Sequence, residues 1–173
     1  MTDPVKNIKA LEIRQDMIIA DLGAGTGFYT IPLAKAVPYG KVYAVEIVRD
    51  MLSTLRNKVL EAKLNNVECL WGNVEKIEGT HIKDETVDIV IASNILFQVE
   101  NKNKFIEEIK RILKSGGQCL IIDWSSSAPF LLNKTAIVSK EQVKTLFESL
   151  GFRYKQNFTP GEHHYGIIFT KSK

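Results

Sequence analysis

Residues 17–27 read Met17-Ile18-Ile19-Ala20-Asp21-Leu22-Gly23-Ala24-Gly25-Thr26-Gly27. An apolar run of strand length ends on an acid and passes directly into three glycines at alternate positions, a pattern that predicts a buried strand, a sharp turn and a helix opening behind it. Glycine permits that turn because it has no Cβ to obstruct a left-handed backbone or a closely approaching ligand. A helix starting there would aim unpaired N–H groups at an anionic group such as a carboxylate or a phosphate. Pro32 fits only near that helix's first turn, where a missing N–H costs little.

Outward from this stretch, short apolar runs alternate with helical periodicity, the signature of βαβ units and a largely parallel sheet. Lys41 to Glu46 and Val87 to Ala92 read as further strands buried on both faces. From Arg49 to Leu64, Leu52, Leu55, Val59 and Ala62 recur at helical spacing, and from Asn101 to Leu113 so do Phe105, Ile109, Ile112 and Leu113. The last helix is bounded by a capping box, Ser139 with Gln142, and by Gly151, with Val143, Leu146, Phe147 and Leu150 as its apolar stripe. Phe152 to Phe158 and His163 to Thr170 then form two strands around the turn Thr159-Pro160-Gly161-Glu162, which is short enough to require an antiparallel hairpin. His163 and His164, adjacent in a strand, should face opposite sides and form no joint site.

The leader, residues 1–15, carries Val5, Ile8 and Leu11 at a spacing of three, which suggests a short helix. Residues 123–138 form a long stretch containing Ser127 and Pro129, a candidate lid. Its apolar residues Trp124, Phe130, Leu131 and Leu132 are candidates for lining a pocket or for plain packing.

A chain of 173 residues suggests one domain, and 45% hydrophobic with 25% charged residues is the balance of an ordinary globular protein. The net charge of +3 is too small and too dispersed to point to nucleic acid. The first residues lack the apolar core of a signal peptide, and no run reaches the ~18–20 apolar residues of a membrane span, so a cytoplasmic location without membrane insertion is expected. Cys69 and Cys119 lie in strand-like runs and read as core residues.

The glycine turn has a companion in Glu46, which ends the second strand 19 residues after Gly27, where a carboxylate can accept hydroxyl protons of a ribose. A dinucleotide fingerprint would need its third glycine one position later, where Phe28 stands, and its phosphates would be repelled by Asp21. This disfavours an NAD(P)-dependent oxidoreductase. A ligand with an ammonium, a carboxylate and a ribose fits better, and S-adenosyl-L-methionine has all three.

With these residues in view, the chain resembles class I S-adenosylmethionine-dependent methyltransferases, whose first motif runs acidic-x-G-x-G-x-G. The resemblance continues in order over nearly the whole chain, through Val42 to Glu46, Val87 to Asn94 and Leu113 to Trp124. It is strongest toward the small-molecule branch that includes ubiquinone and menaquinone biosynthesis methyltransferases. It implies an α/β, Rossmann-like fold with a seven-stranded sheet of order 3-2-1-4-5-7-6, strand 7 antiparallel and helices on both faces. Cys69 and Cys119 would then lie four strands apart, about 19 Å at ~4.8 Å per strand, too far for a disulfide.

The resemblance also implies a cofactor site made of Asp21, Gly23, Ala24, Gly25, Gly27, Phe28, Tyr29, Glu46, Ile47, Met51, Gly72, Asn73, Val74, Ser93 and Asn94, with no metal. Asn73 replaces the usual Asp at the adenine, where an amide can accept or donate. The competing reading of Gly72-Asn73 is a simple turn, and Ile47 and Met51 could equally be core residues. Asp123 is the candidate general base, or else an anchor for a loop, and Asn94 and Ser93 are candidates for orienting an acceptor or for holding cofactor and backbone.

Missing features narrow the acceptor. No N-P-P-Y sequence follows strand four, which argues against nucleic-acid bases; the acidic pair of metal-dependent catechol enzymes is incomplete; and two dispersed cysteines do not make an arsenite site. A small organic molecule remains as substrate. Because the leader is short, the acceptor site is expected to be open, lidded by residues 123–138, or completed by a second copy in a homodimer. A non-catalytic S-adenosylmethionine-binding regulatory or partner subunit is the alternative from another class.

Overall fold

A computed structural model describes residues 2–126 and 137–172. In chain order the elements are α1 (Pro4–Ile8), β1 (Ile18–Leu22), α2 (Thr30–Ala36), β2 (Lys41–Glu46), α3 (Arg49–Glu61), β3 (Val67–Trp71), β4 (Val87–Ser93), α4 (Lys102–Ile112), β5 (Leu113–Trp124), α5 (Lys140–Ser149), β6 (Phe152–Gly161) and β7 (His164–Lys171). The strands form one sheet of order β3-β2-β1-β4-β5-β7-β6. Pairs from β3 to β5 are parallel, whereas β7 runs antiparallel to both β5 and β6. This is the α/β architecture and strand order that the sequence resemblance implies.

Two apolar layers cover the sheet. Alternation along β1 and β4 sends Ile19, Ile89 and Ile91 to the face packed by Ile8, Leu11, Leu33 and Val37, while Ala20, Leu22, Val90 and Ala92 meet Phe105, Ile109 and Phe147 on the other. Covered on both sides, the central strands tolerate an almost unbroken apolar sequence. Phe147 of α5 stacks on Phe169 of β7 with ring centroids 4.3 Å apart. The capping box holds as expected, Ser139 Oγ accepting from Gln142 N and Gln142 Oε1 from Ser139 N, and Gly151 takes a φ of 88° beyond the helix end.

Local differences from the sequence reading have physical reasons. The helix behind the glycines begins only at Thr30, since Gly27 N–H closes a turn on Ala24 O. Helix α3 stops at Glu61, leaving Ala62 as an exposed C-cap instead of a core residue. Within β5 a segment is looped out: the register passes from Val87↔Leu113 to Ile89↔Gln118 with Gly116 at positive φ. The hairpin turn sits at Glu162-His163, so His163 belongs to the turn and Pro160 to β6. An edge strand accommodates that proline because one side of its ladder has no partner. In the leader, Ile8 and Leu11 are buried but Val5 is exposed. Cys69 is half-buried on β3 and Cys119 buried on β5, four strands away. No helix among the described residues is long and apolar enough to cross a membrane.

Candidate cofactor-binding site

The residues assigned to the site lie at the carboxyl edge of β1, β2, β3 and β4, where the chain leaves each strand of a parallel sheet, and all but Gly27 line a cleft there. A cavity of about 420 Å³ is lined by Gly23, Gly25, Glu46, Ile47, Met51, Gly72, Asn73, Val74 and Asn94. A smaller one of about 220 Å³ adjoins it through Gly23, Gly25 and Asn94, and adds Asp21, Ala24, Phe28, Tyr29 and Ser93. Gly27 lies behind the cleft instead of lining it.

The three motif glycines differ in their duties. All have positive φ, 72°, 55° and 91° for Gly23, Gly25 and Gly27. A Cβ on Gly23 would collide with Ile95 Cδ1 and one on Gly27 with Leu55 Cδ1, so these two serve packing. A Cβ on Gly25 would meet nothing within 4 Å. It would project into the cleft, which marks Gly25 as the position where an approaching ligand requires glycine.

Glu46 is 94% buried, for only 6% of it is exposed, yet it faces no cation among the described residues. Its Oε1 accepts from Ile47 N at 2.9 Å and Val48 N at 2.8 Å, and its Oε2 from Gly25 N at 2.8 Å. The carboxylate thus ties the glycine turn to the entrance of α3. Gly23 N and Ala24 N both donate to Val45 O. The glycine-turn amides expected to meet an anion at a helix start are therefore largely spent on holding the turn.

Asp21, at the end of β1, is 2% exposed and accepts from Thr30 Oγ1 at 2.6 Å. Burial, with Glu46 nearby, raises its pKa from 3.8 to about 6, against the lowering by the Thr30 hydroxyl. A cationic ligand group would restore its charge. Tyr29 is buried beside it, its hydroxyl accepting from Asn7 Nδ2 at 2.9 Å, and Phe28 is half exposed at the rim.

Asn94 follows β4 with a φ of 54° and its N–H on Ile122 O. Its Oδ1 is buried with no hydrogen-bond partner among the described residues. A buried acceptor left alone costs about 1–3 kcal/mol, which a donor arriving in the cleft would recover. At the far end, Asn73 Oδ1 accepts from Glu75 N at 2.9 Å in an Asx turn, and Gly72 is required where its Cβ would press on Gly79 O and Val45. Ile47 and Met51 are 50% and 45% exposed, so they wall the cleft and are not core.

Asp123 stands apart from this cleft. It is buried, with Oδ2 accepting from Leu96 N and Oδ1 from Trp124 N, each at 2.7 Å. Burial lifts its pKa to about 6 although those N–H groups oppose the rise. This is the geometry of an anchor for the loop after β4. Phe130, Leu131 and Leu132, and most of the 123–138 stretch, lie outside the described residues.

Several residues that share the cleft were not singled out by the sequence: Val48, Ile95, Gln98 and Val99 line it, and Glu75 Oε2 accepts from Glu100 N and Asn101 N across its two lips. They follow strand ends without any motif, so only the strand order could have pointed to them.

Comparison with known proteins agrees with this geometry. A family model described as a methyltransferase domain matches residues 13–165. The ubiquinone/menaquinone biosynthesis C-methyltransferase of Hydrogenovibrio crunogenus is 36% identical over 124 residues, covering 70% of this chain and 48% of that protein. The chain spans about half the length of the curated quinone-biosynthesis relatives it matches. Among solved structures, a SAM-dependent methyltransferase from Aquifex aeolicus superposes with a TM-score of 0.88 at 30% identity, covering 98% of this chain and 89% of that one. The cyclase SpnF shares the fold at 12% identity, with a TM-score of 0.85 over 98% of this chain and 79% of that one. The match over residues 13–165, read with the glycine turn and the sheet order, shows that the chain belongs to the methyltransferase domain family, in its class I, S-adenosylmethionine-dependent group.

Proposed function

We propose that this chain binds S-adenosyl-L-methionine and transfers its methyl group to a small organic acceptor. The observation that carries this reading is one cleft with Glu46 at one end, Asp21 at the other and Gly25 open to it between them. The cofactor supplies a methyl on a sulfonium, whose departing thioether needs no acid. Glu46 Oε2 keeps a lone pair for one ribose hydroxyl, one fewer than the carboxylate was expected to take, since three backbone N–H groups already occupy it. Asp21 would pair with the ammonium and Asn94 Oδ1 accept from it or from the acceptor. With Asn73 Oδ1 engaged by Glu75, its amide offers N–H to an adenine ring nitrogen. Ile47 and Met51 would sandwich the base. The chain's work is then placement, which can itself contribute about 7–11 kcal/mol toward a displacement.

The remaining assignments belong to the same proposal: residues 1–173 act as one methyltransferase domain, and the acceptor side is open or completed by a second copy, the lid expected of residues 123–138 falling mostly outside the described residues. The quinone-biosynthesis activity named for the Hydrogenovibrio relative supports an organic acceptor. The alternative is a non-catalytic S-adenosylmethionine-binding regulatory or partner subunit. Calorimetry with S-adenosylmethionine and S-adenosylhomocysteine tests the site, and release of labelled methyl into a metabolite extract tests turnover. Binding without any transfer would move the chain to the alternative, and no heat with either nucleoside would end the proposal.

A further inference from the structure

Beyond the cleft, at the same edge of the sheet, one group is unexplained by cofactor binding. The register pairs Asp21 with Ile91, Ser93 with Ile122 and Trp124 with His164. Strand alternation therefore puts Asp21, Ser93, Trp124 and His164 on one face of the sheet, rising in that order along its carboxyl edge. The cofactor cleft occupies the β1, β2, β3 and β4 ends, and the same edge of the sheet continues to Trp124 at the end of β5 and His164 at the start of β7, about 10 Å beyond β4 at ~4.8 Å per strand.

His164 stands there, 9% exposed, with its ring centroid 4.0 Å from that of Trp124. Its Nε2 is fully buried and has no hydrogen-bond partner among the described residues. Leaving such an atom dry and unpaired is costly, and buried imidazoles ordinarily donate or accept. Burial also lowers its pKa, so near neutral pH the ring is uncharged and one nitrogen is free to accept. Tryptophan is the best aromatic partner for a cation, so the same stack would hold the ring after it took up a proton.

We propose that His164 Nε2 is the catalytic group that receives the acceptor's proton, and that the acceptor is therefore a protic small molecule, a phenol, enol or heteroaromatic N–H. Resting on the methyl-transfer reading above, the step breaks the acceptor's O–H or N–H bond and forms N–H on His164, leaving an anionic nucleophile beside an imidazolium that Trp124 faces. Asp123, pinned by Leu96 N and Trp124 N, then keeps its role as an anchor.

The test uses the full chain saturated with S-adenosylhomocysteine and 4-nitrophenol as probe, because its ionised form is seen directly by absorbance. Bound probe is expected to be more ionised than free probe at the same pH, and His164→Gln should lower that affinity at least tenfold while S-adenosylhomocysteine affinity stays unchanged. In the native chain, with ¹⁵N-labelled histidine, the Nε2 resonance of His164 should move on adding the probe, while His81 and His163 serve as internal controls. This second readout does not depend on the variant folding. No probe binding, binding that His164→Gln leaves unaltered, or an unmoved His164 resonance overturns the assignment. Failure of S-adenosylhomocysteine itself to bind the native chain removes the underlying cofactor reading, and this proposal with it.

Discussion

Asp21 holds stability and affinity in opposition. In the free protein its pKa rises from 3.8 to about 6, so between those values the folded chain keeps a proton that the unfolded chain has released. Its contribution to stability is full below that window, falls as pH rises through it and is flat above. Asp21→Asn is therefore expected to be more stable than the native chain above pH 6 by at most about 3 kcal/mol, measured by urea denaturation. The same variant should bind S-adenosylhomocysteine more weakly. Native affinity should decline toward about tenfold per pH unit below 6, a slope that calorimetry should find missing in the variant. The glycines give a second contrast. Gly25→Ala should fold with a loss of about 1–2 kcal/mol for its left-handed backbone, yet lose most cofactor affinity. Gly27→Ala should instead be destabilised further, because Leu55 must move. Thermal melts set against calorimetry separate the two. These roles were only half legible in the sequence. Spacing marks Asp21, the glycines and Glu46 as one group, but which glycine faces the ligand depends on Ile95 and Leu55, which arrive from distant segments.

At the scale of elements, α4 is fastened by a buried charge. Glu108 is fully buried and accepts from Glu78 N, Thr80 N, Thr80 Oγ1 and the Arg111 guanidinium. Those bonds hold its pKa low despite burial. The sequence shows Glu108 and Arg111 merely as charges three apart on an amphipathic helix, which reads as a solvated pair; the loop from Glu78 to Ile82 that closes over them carries no signal of doing so. Arg111→Ala would leave the carboxylate buried and unpaired, and a loss of about 3–5 kcal/mol is expected in denaturant melts. Ser139→Ala removes a cap that sequence alone identified and should cost about 1 kcal/mol. Elements with their own punctuation, such as α5, were readable end to end. The hairpin turn was misplaced by two residues because Pro160 and Gly161 look like a turn, whereas an edge strand admits both.

For the molecule as a whole, strand order and direction followed from the family motifs, while no local pattern could reveal the bulged entry to β5. A ligand that binds only the folded chain stabilises it by mass action, about 2.7 kcal/mol at a hundredfold excess over Kd. For a chain of this size S-adenosylhomocysteine should therefore raise Tm by roughly 5–11 °C, and NADH should leave it unmoved. A shift with NADH alone would return the chain to the dinucleotide class. The sheet's order also dictates a schedule for synthesis. Since β7 inserts between β5 and β6, a nascent chain that has emerged only through residue 161 carries β6 with no strand to join. Until residues 164–171 clear the ribosome, β5 presents an unpaired apolar edge, so the newborn protein passes through an interval of adhesiveness in which chaperones would find it.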